Sequence, residues 1–591
     1  MQFNLADVFE TVAAAVPDRV ALTYEGENVT YAQLDSEANK VAAMLSRAGI
    51  GEGDHVALFL KNSVEHVHSL LGLIKIRAVP INVNYRYTPA ELEYIVTNSD
   101  SVAVVVELPE HQRTLAELLV ACPLVRTVIV IGELDDELRS AAAARSVTVV
   151  SFAEHETLSS AVEFAPRTGD ELYVLYTGGT TGYPKGVMWR HDDFFRKPLS
   201  GGNPYGTDPR ADLAEIAAAA KEFPELSFLI AAPLMHGAAL YSLFTFFTLG
   251  ARVVLMRDFD SQRVVEAIER ERIQVILIVG DGMGLPLVDE MERRQGEIDL
   301  SSLFSITSGG AIWSVGVRER MLAVKPDLLL RDNFGASESG NDGAFTVDEQ
   351  GNLRMPSSST MLLVDEDLAD IAPGSDQIGY IARVGNVPLG YYKDEDKSAR
   401  TFRTRVDGTR MSILGDMGRI EADGTIVFLG RGSQCINTGG EKVFAEEVEA
   451  VLHGHPSIAD ALVVPVPDER MGQRVAAVIA TYPDAPALTL DEVQQHCRTS
   501  LAGYKVPRAM SIVAEIKRTP AGKADYRRGA RVTRASADPP LCGRSPHSGG
   551  AGVVTGSAIR VLPAVKAQYT GVCGSAGRAG TGRAVQAGRV P

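Results

Sequence analysis

Between residue 55 and about residue 335, short apolar runs alternate with stretches of helical period. HVALFL (55–60), VPINVN (79–84), VAVVVE (102–107), VRTVIVIG (125–132), LYVLYT (172–177), ARVVLM (251–256), VILIVG (275–280) and LLLRDN (328–333) read as strands. Runs of four to eight apolar residues, with no polar alternation, suit strands buried on both faces. Ser63–Ala78 reads as a helix, with Val64, Val67, Leu70, Leu71 and Ile74 on one stripe, and Pro89–Thr97 reads as another. This alternation predicts α/β layers with parallel strands. The pattern changes after about residue 430 to a compact α+β unit. It has helices at Glu446–Leu452 and Leu490–Leu501 and strands at Ala461–Pro465 and Val475–Thr481.

Phe228 to Ala251 carries no formal charge over 24 residues, long enough to cross a bilayer. Pro233, His236 and Gly237 interrupt it, so the expectation is a buried strand at Phe228–Ala232, a loop and a core helix. The first twenty residues have acids among the first ten and no basic start, and read as a short amphipathic helix, not a signal peptide.

Composition narrows the class. The chain has 591 residues, 45% of them hydrophobic, enough for several folding units with large cores. It holds 75 Asp+Glu against 58 Lys+Arg, a net charge of -17, which is the wrong sign for a nucleic-acid-binding protein. Cys122, Cys435, Cys497, Cys542 and Cys573 are scattered, without C-x-x-C spacing. That argues against a zinc site or a disulfide framework and fits the reducing cytoplasm. Residues 531–591 contain eight Lys/Arg, a single acid and abundant Gly, Ala and Ser. This tail, taken to start at 529, reads as a disordered appendage, as a shifted-frame translation of GC-rich DNA, or as a basic arm.

The sharpest local signal is Tyr176-Thr-Gly-Gly-Thr-Thr-Gly-Tyr-Pro-Lys185-Gly, directly after the strand LYVLYT. Glycines let backbone N–H groups close on an anion, and Thr177, Thr180, Thr181 and Lys185 add hydroxyl donors and a charge. The order differs from G-x-x-x-x-G-K-[ST], so this is not a Walker A loop. Five further segments follow. Pro233-Leu-Met-His236-Gly is one. Thr307-Ser-Gly-Gly310-Ala and Asn333-Phe334-Gly335-Ala-Ser337-Glu338 offer an aromatic for a purine, a hydroxyl for a phosphate and a carboxylate for a hard cation. Gly415-Asp416 and Arg431 offer a carboxylate and a fork of donors for a vicinal diol. Lys517-Arg-Thr-Pro-Ala-Gly-Lys523 ends the series; each of these would be an ordinary turn or core residue if it stood alone.

In order and spacing these motifs resemble the adenylate-forming superfamily of acyl-CoA synthetases, peptide-synthetase adenylation domains and luciferases, over about residues 5–528. The branch most similar is that of bacterial ligases for long acyl chains and sterol side-chain acids. The resemblance rests on the phosphate loop with Gly178, on Gly430-Arg-Gly-Ser-Gln-Cys-Ile-Asn-Thr-Gly-Gly-Glu-Lys442-Val, and on Ala502-Gly-Tyr-Lys-Val-Pro-Arg. It implies a large domain over 1–430, a small mobile domain over 431–528, and an ATP-dependent acid–CoA ligase that works through an acyl-adenylate. The nucleotide site would comprise Thr177, Gly178, Gly179, Thr180, Thr181, Gly182, Lys185, Gly310, Asn333, Phe334, Gly335, Ser337, Asp416 and Arg431. Glu338 would hold Mg²⁺, His236 would border the acid, and Lys523 would neutralise charge during adenylation. The small domain would then turn about Ser433 and present Gly439, Gly440 and Lys442 to CoA.

This sequence departs from the family pattern in places. Phe334 stands for Tyr, Ser337 for Thr, Ser433 for the usual Asp or Lys, Arg77 for a Gly and Ala445 for a Pro. Loading of a carrier protein in place of CoA, and an inactive nucleotide-binding regulator, are the rival readings. The sequence does not name the acid or the oligomeric state.

Overall fold

The parallel strands fall into two sheets with an apolar core between them. A computed structural model describes residues 1–177, 184–309, 313, 315–347, 353–431, 435–438, 441–468, 472–501, 503–518 and 524–537. In the first sheet His55–Phe59, Val79–Asn82, Ala103–Glu107, Thr127–Ile131, Thr148–Ser151 and Leu172–Thr177 run parallel, and Lys185–Arg190 returns antiparallel to Leu172–Thr177. In the second, Val20–Tyr24, Arg252–Leu255, Ser227–Ile230, Val275–Ile278, Ser305–Gly309 and Leu329–Ala336 form a parallel ladder.

Strand period two explains the layering. Val56, Leu58, Val105 and Leu175 of the first sheet, and Phe228, Ile230, Val275 and Leu277 of the second, face the shared core. The helices Leu5–Ala15, Tyr31–Arg47, Val64–Lys75 and Gly237–Thr248 contribute to the same core. Ala57, Phe59, Val104 and Val106 point the other way, under Pro89–Asn98 and Gln112–Ala121. Leu229, Ile276, Ile278 and Ile306 do so under Ser261–Arg270, Gly280–Arg293 and Val315–Val324. Both faces of both sheets are therefore covered, as the unbroken apolar runs require. The uncharged stretch divides as expected into the strand Ser227–Ile230 and the helix Gly237–Thr248. Among the described residues no helix is long and apolar enough to cross a membrane.

Beyond Ala336 the second sheet turns antiparallel, through Gly340–Val347, Leu353–Pro356, Thr425–Arg431, Arg410–Ile420, Gly379–Val384 and Met361–Val364. The smaller C-terminal domain has a five-stranded sheet, in which Ile458–Asp468 pairs along its length with Gly472–Thr481 and Ala509–Val513 adds in parallel. Ala445–His453 and Leu490–Arg498 pack on its core, matching the two expected helices.

The tail boundary at 529 needs correction. The helix Tyr526–Ala537 continues past it. A Cβ on Gly529 would lie 2.6 Å from Leu462, and Thr533 is buried with its hydroxyl on Gly529 O at 3.1 Å. Small residues that resemble low complexity in the sequence here let a helix lie flat on a sheet.

Candidate active site

The site forms where strand ends of the two sheets meet the antiparallel extension. A cavity of about 1360 Å³ is lined by Thr177, His236, Asn333, Phe334, Glu338 and Asp416, among others. Lys185, Gly335 and Ser337 also line it. Nine expected site residues, drawn from four separate motifs, thus share one space. Gly178, Gly179, Thr180, Thr181, Gly182, Gly310, Ser433, Gly439, Gly440 and Lys523 lie outside the described residues. The backbone places Arg431 directly opposite Asp416 on paired strands, and Lys442 opposite Asn437 in a hairpin.

The turn Ser337–Glu338 is held from three sides. Trp189 Nε1 and Tyr241 Oη donate to Ser337 O at 2.9 and 3.0 Å. Gly237 leaves room for Ser337, since a Cβ there would sit 3.3 Å from Ser337 Oγ. Gly335 is required more strictly, because a Cβ would come within 2.2 Å of Gly340 O. Tyr391 Oη donates to Glu338 Oε1 at 2.9 Å. Burial and the neighbouring Glu338 carboxylate hold the Tyr391 phenol above its ordinary pKa, so it remains a donor. Lys185 begins the returning strand Lys185–Arg190, opposite Thr177, 3.0 Å from Asp394 and over the Tyr391 ring at 5.2 Å.

A buried ionic network joins the Ala336–Ser339 turn to Asp416. Ser339 Oγ accepts from Ala336 N at 3.1 Å and donates to Asp342 Oδ2 at 2.7 Å. Arg383 Nε donates to the same oxygen at 3.0 Å, and Arg383 Nη2 lies 2.9 Å from Asp416 Oδ2. Its guanidinium also covers the Phe334 ring at 4.8 Å. Burial alone would lower the Arg383 pKa; Asp342 and Asp416 more than offset it. Phe334 packs against Phe345 and Phe428, with centroids 4.5 and 5.8 Å away.

Two buried asparagines clamp the Pro233–His236 segment. Asn62 accepts from Leu234 N at 2.7 Å and donates to Ala232 O at 3.1 Å. Asn82 exchanges hydrogen bonds with the Tyr176 backbone, at 2.6 and 2.8 Å, and donates to Met235 O at 2.6 Å. They fix the half-buried His236 at the N-cap of Gly237–Thr248, beside the end of the strand Leu172–Thr177. Asn62, Asn82, Trp189, Arg383 and Tyr391 were not found from sequence. The usable signal was weak: an uncompensated Arg inside GYIARV and an Asn closing VPIN.

From this end the cavity continues between the second sheet and the helix Gly237–Thr248. Val275 and Leu277, Ser305 and Thr307, and Leu329 and Arg331 are alternate residues on three strands, all facing it. Ala238, Tyr241, Ser242, Thr245 and Phe246, at helical spacing, form the opposite wall. Asp332 lies on the border, where burial pushes its carboxyl up to about 6 despite the Arg318 guanidinium beside it. Among the described residues no group of three or more His, Cys, Asp and Glu gathers to hold a metal by protein ligands alone.

Comparison with known proteins accords with this geometry. Residues 9–391 match the family model described as AMP-binding enzyme, and residues 447–523 match AMP-binding enzyme C-terminal domain. A 3-oxocholest-4-en-26-oate–CoA ligase of Rhodococcus rhodochrous is 43% identical over 543 residues, covering 89% of this chain and 95% of that protein. A medium/long-chain-fatty-acid–CoA/3-oxocholest-4-en-26-oate–CoA ligase of Mycolicibacterium smegmatis is 42% identical, covering 90% and 97%. The crystal structure of the anthranilate CoA ligase AuaEII in complex with anthranoyl-AMP superposes with a TM-score of 0.74 at 23% identity, covering 91% of this chain and 98% of that one. Matches to both models and to relatives over nearly their whole length show that the chain belongs to the AMP-binding enzyme family, in its acyl-CoA synthetase branch.

Proposed function

We propose that the chain is an ATP-dependent acid–CoA ligase for long, largely apolar acids, fatty or sterol side-chain in type. The observation that carries this reading is the single cavity shared by residues as far apart in sequence as Thr177 and Asp416. It is charged and hydroxylic at one end and runs on between a sheet and an apolar helix at the other.

In the first step the acid's carboxylate attacks the α-phosphate of ATP and expels pyrophosphate. The loop from Thr177 to Lys185, including Gly178, Gly179, Thr180, Thr181 and Gly182, wraps the β- and γ-phosphates. Ser337 contacts the α-phosphate, and Asp416 with Arg431 binds the ribose hydroxyls. Asn333, Phe334, Gly335 and Gly310 form the adenine cleft. Phe334, held on one side by Arg383, offers its other face to the purine. His236 borders the entering carboxylate, and Lys523 neutralises the charge that gathers as two anions meet. Glu338, oriented by Tyr391, would hold Mg²⁺, a hard cation that carboxylate and phosphate oxygens suit. Bound there, the ion supplies charge neutralisation on the leaving phosphates.

In the second step the small domain, beginning near residue 431, turns about Ser433. Lys523 withdraws, Gly439, Gly440 and Lys442 line the approach of CoA, its thiol attacks the acyl carbon, and AMP leaves. The setting is cytoplasmic, where ATP and CoA are supplied.

The test is a panel of fatty, aromatic and steroid acids, each incubated with ATP, Mg²⁺ and CoA, reading AMP, pyrophosphate and thioester together. Equal yields of AMP and thioester from long or steroid acids are expected. AMP release from none of them would overturn the proposal; AMP without thioester would move the acceptor from CoA to a carrier.

A further inference from the structure

The far end of the acid channel carries a cation that the reaction itself does not use. Arg331 lies on the channel wall two residues before Asn333, at the entering end of Leu329–Ala336. Ser337 stands six positions further along the chain, about 20 Å at strand rise. The channel reaches the surface there, because Tyr205, Phe304 and Leu329 line it and are 58%, 45% and 52% exposed.

The other polar side chains on this stretch of the sheet wall are already satisfied. Ser305 Oγ donates to Leu329 O at 2.9 Å, and Thr307 Oγ1 donates to Ile276 O at 3.3 Å. Arg331 has no ion pair or side-chain hydrogen bond among the described residues. The channel therefore offers an acid a reacting end at Ser337, an apolar middle along Val275, Leu277 and Phe246, and a forked donor at the distal end.

We propose that Arg331 is a specificity-determining residue that recognises an oxygen acceptor, a carbonyl or a second carboxylate, at the end of the acid remote from the reacting carboxylate. This deepens the ligase reading and rests on it. A guanidinium donates to either group, and an acid that ends in a methyl leaves the cation no partner to gain. The contact lies far from the reacting atoms and is made equally in ground and transition states, so it acts on KM and not on kcat.

The experiment compares three long acids of matched length: one ending in methyl, one with a terminal oxo group and one with a second carboxylate. Each is assayed for AMP release with the full chain and with Arg331→Met. The unmodified protein should favour an oxygen-bearing acid about tenfold through KM, as expected for one charge-assisted hydrogen bond. Arg331→Met should abolish that preference and leave the methyl-terminated acid unchanged. Preference for both oxygen-bearing acids supports recognition of an acceptor oxygen; preference for the diacid alone supports recognition of charge. No preference in the unmodified protein, a preference that survives in Arg331→Met, or an equal loss on all three acids would overturn the assignment. Failure of the ligase reading would look different: no acid would release AMP.

Discussion

Two buried cations in the large domain are built alike and do different work. Lys75, 1% exposed, sits 2.6 Å from Glu10 and 2.7 Å from Asp35. Arg383, fully buried, sits 3.0 Å from Asp342 and 2.9 Å from Asp416. The difference lies in the carboxylates. Glu10 and Asp35 keep 30% and 26% of their side-chain surface in water, whereas Asp342 and Asp416 keep 0% and 2%. The Lys75 cluster ties together the helices Leu5–Ala15, Tyr31–Arg47 and Val64–Lys75, and none of its three members lines the cavity. The Arg383 cluster includes a cavity-lining carboxylate, Asp416. Desolvating both carboxylates is costly, and a hydrophobic filling would hold a fold as well or better. The costly arrangement therefore marks the cluster that serves the site.

The largest effect should follow Arg383→Met. It takes from Asp416 and Asp342 the buried cation they share and leaves Asp342 only Lys197, 3.3 Å away, a loss of about 3 kcal/mol. Denaturant unfolding should show that loss, and ATP–pyrophosphate exchange should collapse because Asp416 and the Phe334 face both lose their support. Unchanged exchange in a folded Arg383→Met protein would break the link between burial and function.

Lys75→Met is the matched control. Its carboxylates can turn to water, and Arg167 remains 2.9 Å from Glu10, so the cost should be smaller, about 1–2 kcal/mol. The KM for ATP and the exchange rate should not move. A change in ATP affinity would show that the two clusters are coupled and that carboxylate exposure does not separate them.

How much of this was legible in the sequence follows from how local each feature is. The parallel strands were readable because strands buried on both faces leave unbroken apolar runs. Thr177, His236, Asn333–Glu338 and Asp416 were singled out because each lies in a short motif, and the structure brings them to one cavity. Arg383 belongs to none: its partner Asp342 is 41 residues away, and its charge in GYIARV resembles any strand residue turned to solvent. Asn62 and Asn82 act on segments 172 and 153 residues distant, a relation made only by the fold. The helix Tyr526–Ala537 was missed for a different reason. Its Gly and Ala content, useful for close packing on Leu462, has the composition of disorder.

A half-buried carboxyl with no cation beside it among the described residues sharpens the comparison from the other side. Glu449 in the small domain accepts from Val463 N at 2.7 Å and from Tyr526 Oη at 3.0 Å. Burial first, and then the nearby Glu446, push its carboxyl up to about 8. The folded state therefore holds a proton that the unfolded chain releases near its ordinary value of 4.5. Stability from this group is present below about 4.5 and is lost as pH rises toward about 8. Glu449→Gln should remove that loss, so the melting temperature of the variant should gain on the unmodified protein between pH 5 and pH 8. A constant difference across that window would mean that Glu449 is already ionised and that its hydrogen bonds suffice without a cation. The effect should be modest, because the side chain is only half-buried and opens on the cavity.

The smallest effect belongs to Arg77, a cation where the family resemblance implies a glycine. It follows the helix Val64–Lys75 with φ at 63°, the left-handed region that favours glycine after a helix end. An L-residue there costs about 1–2 kcal/mol of local strain. The side chain offsets that cost: Nε donates to Glu171 at 2.8 Å, and Nη1 donates to Glu52 at 2.7 Å. Glu52 is 63% exposed, and its pair contributes little. Glu171 is mostly buried, yet it also accepts from Thr168 N at 2.8 Å, Thr168 Oγ1 at 3.1 Å and Asn4 Nδ2 at 3.1 Å. Removing Arg77 would thus leave a carboxylate that keeps three other donors. Arg77→Gly relieves the strain, forfeits one useful ion pair and adds about 0.4–1 kcal/mol of unfolded-state entropy. These terms nearly cancel, and the expected change is within about 1 kcal/mol of zero. Equilibrium unfolding of Arg77→Gly beside Arg77→Ala isolates the two parts, because alanine loses the ion pairs and keeps the strain. Alanine should be the less stable of the two by about 1 kcal/mol. If glycine instead loses as much as alanine, the Glu171 pair outweighs the backbone, and a partly wet carboxylate depends on its cation as strongly as the fully buried pair at Arg383.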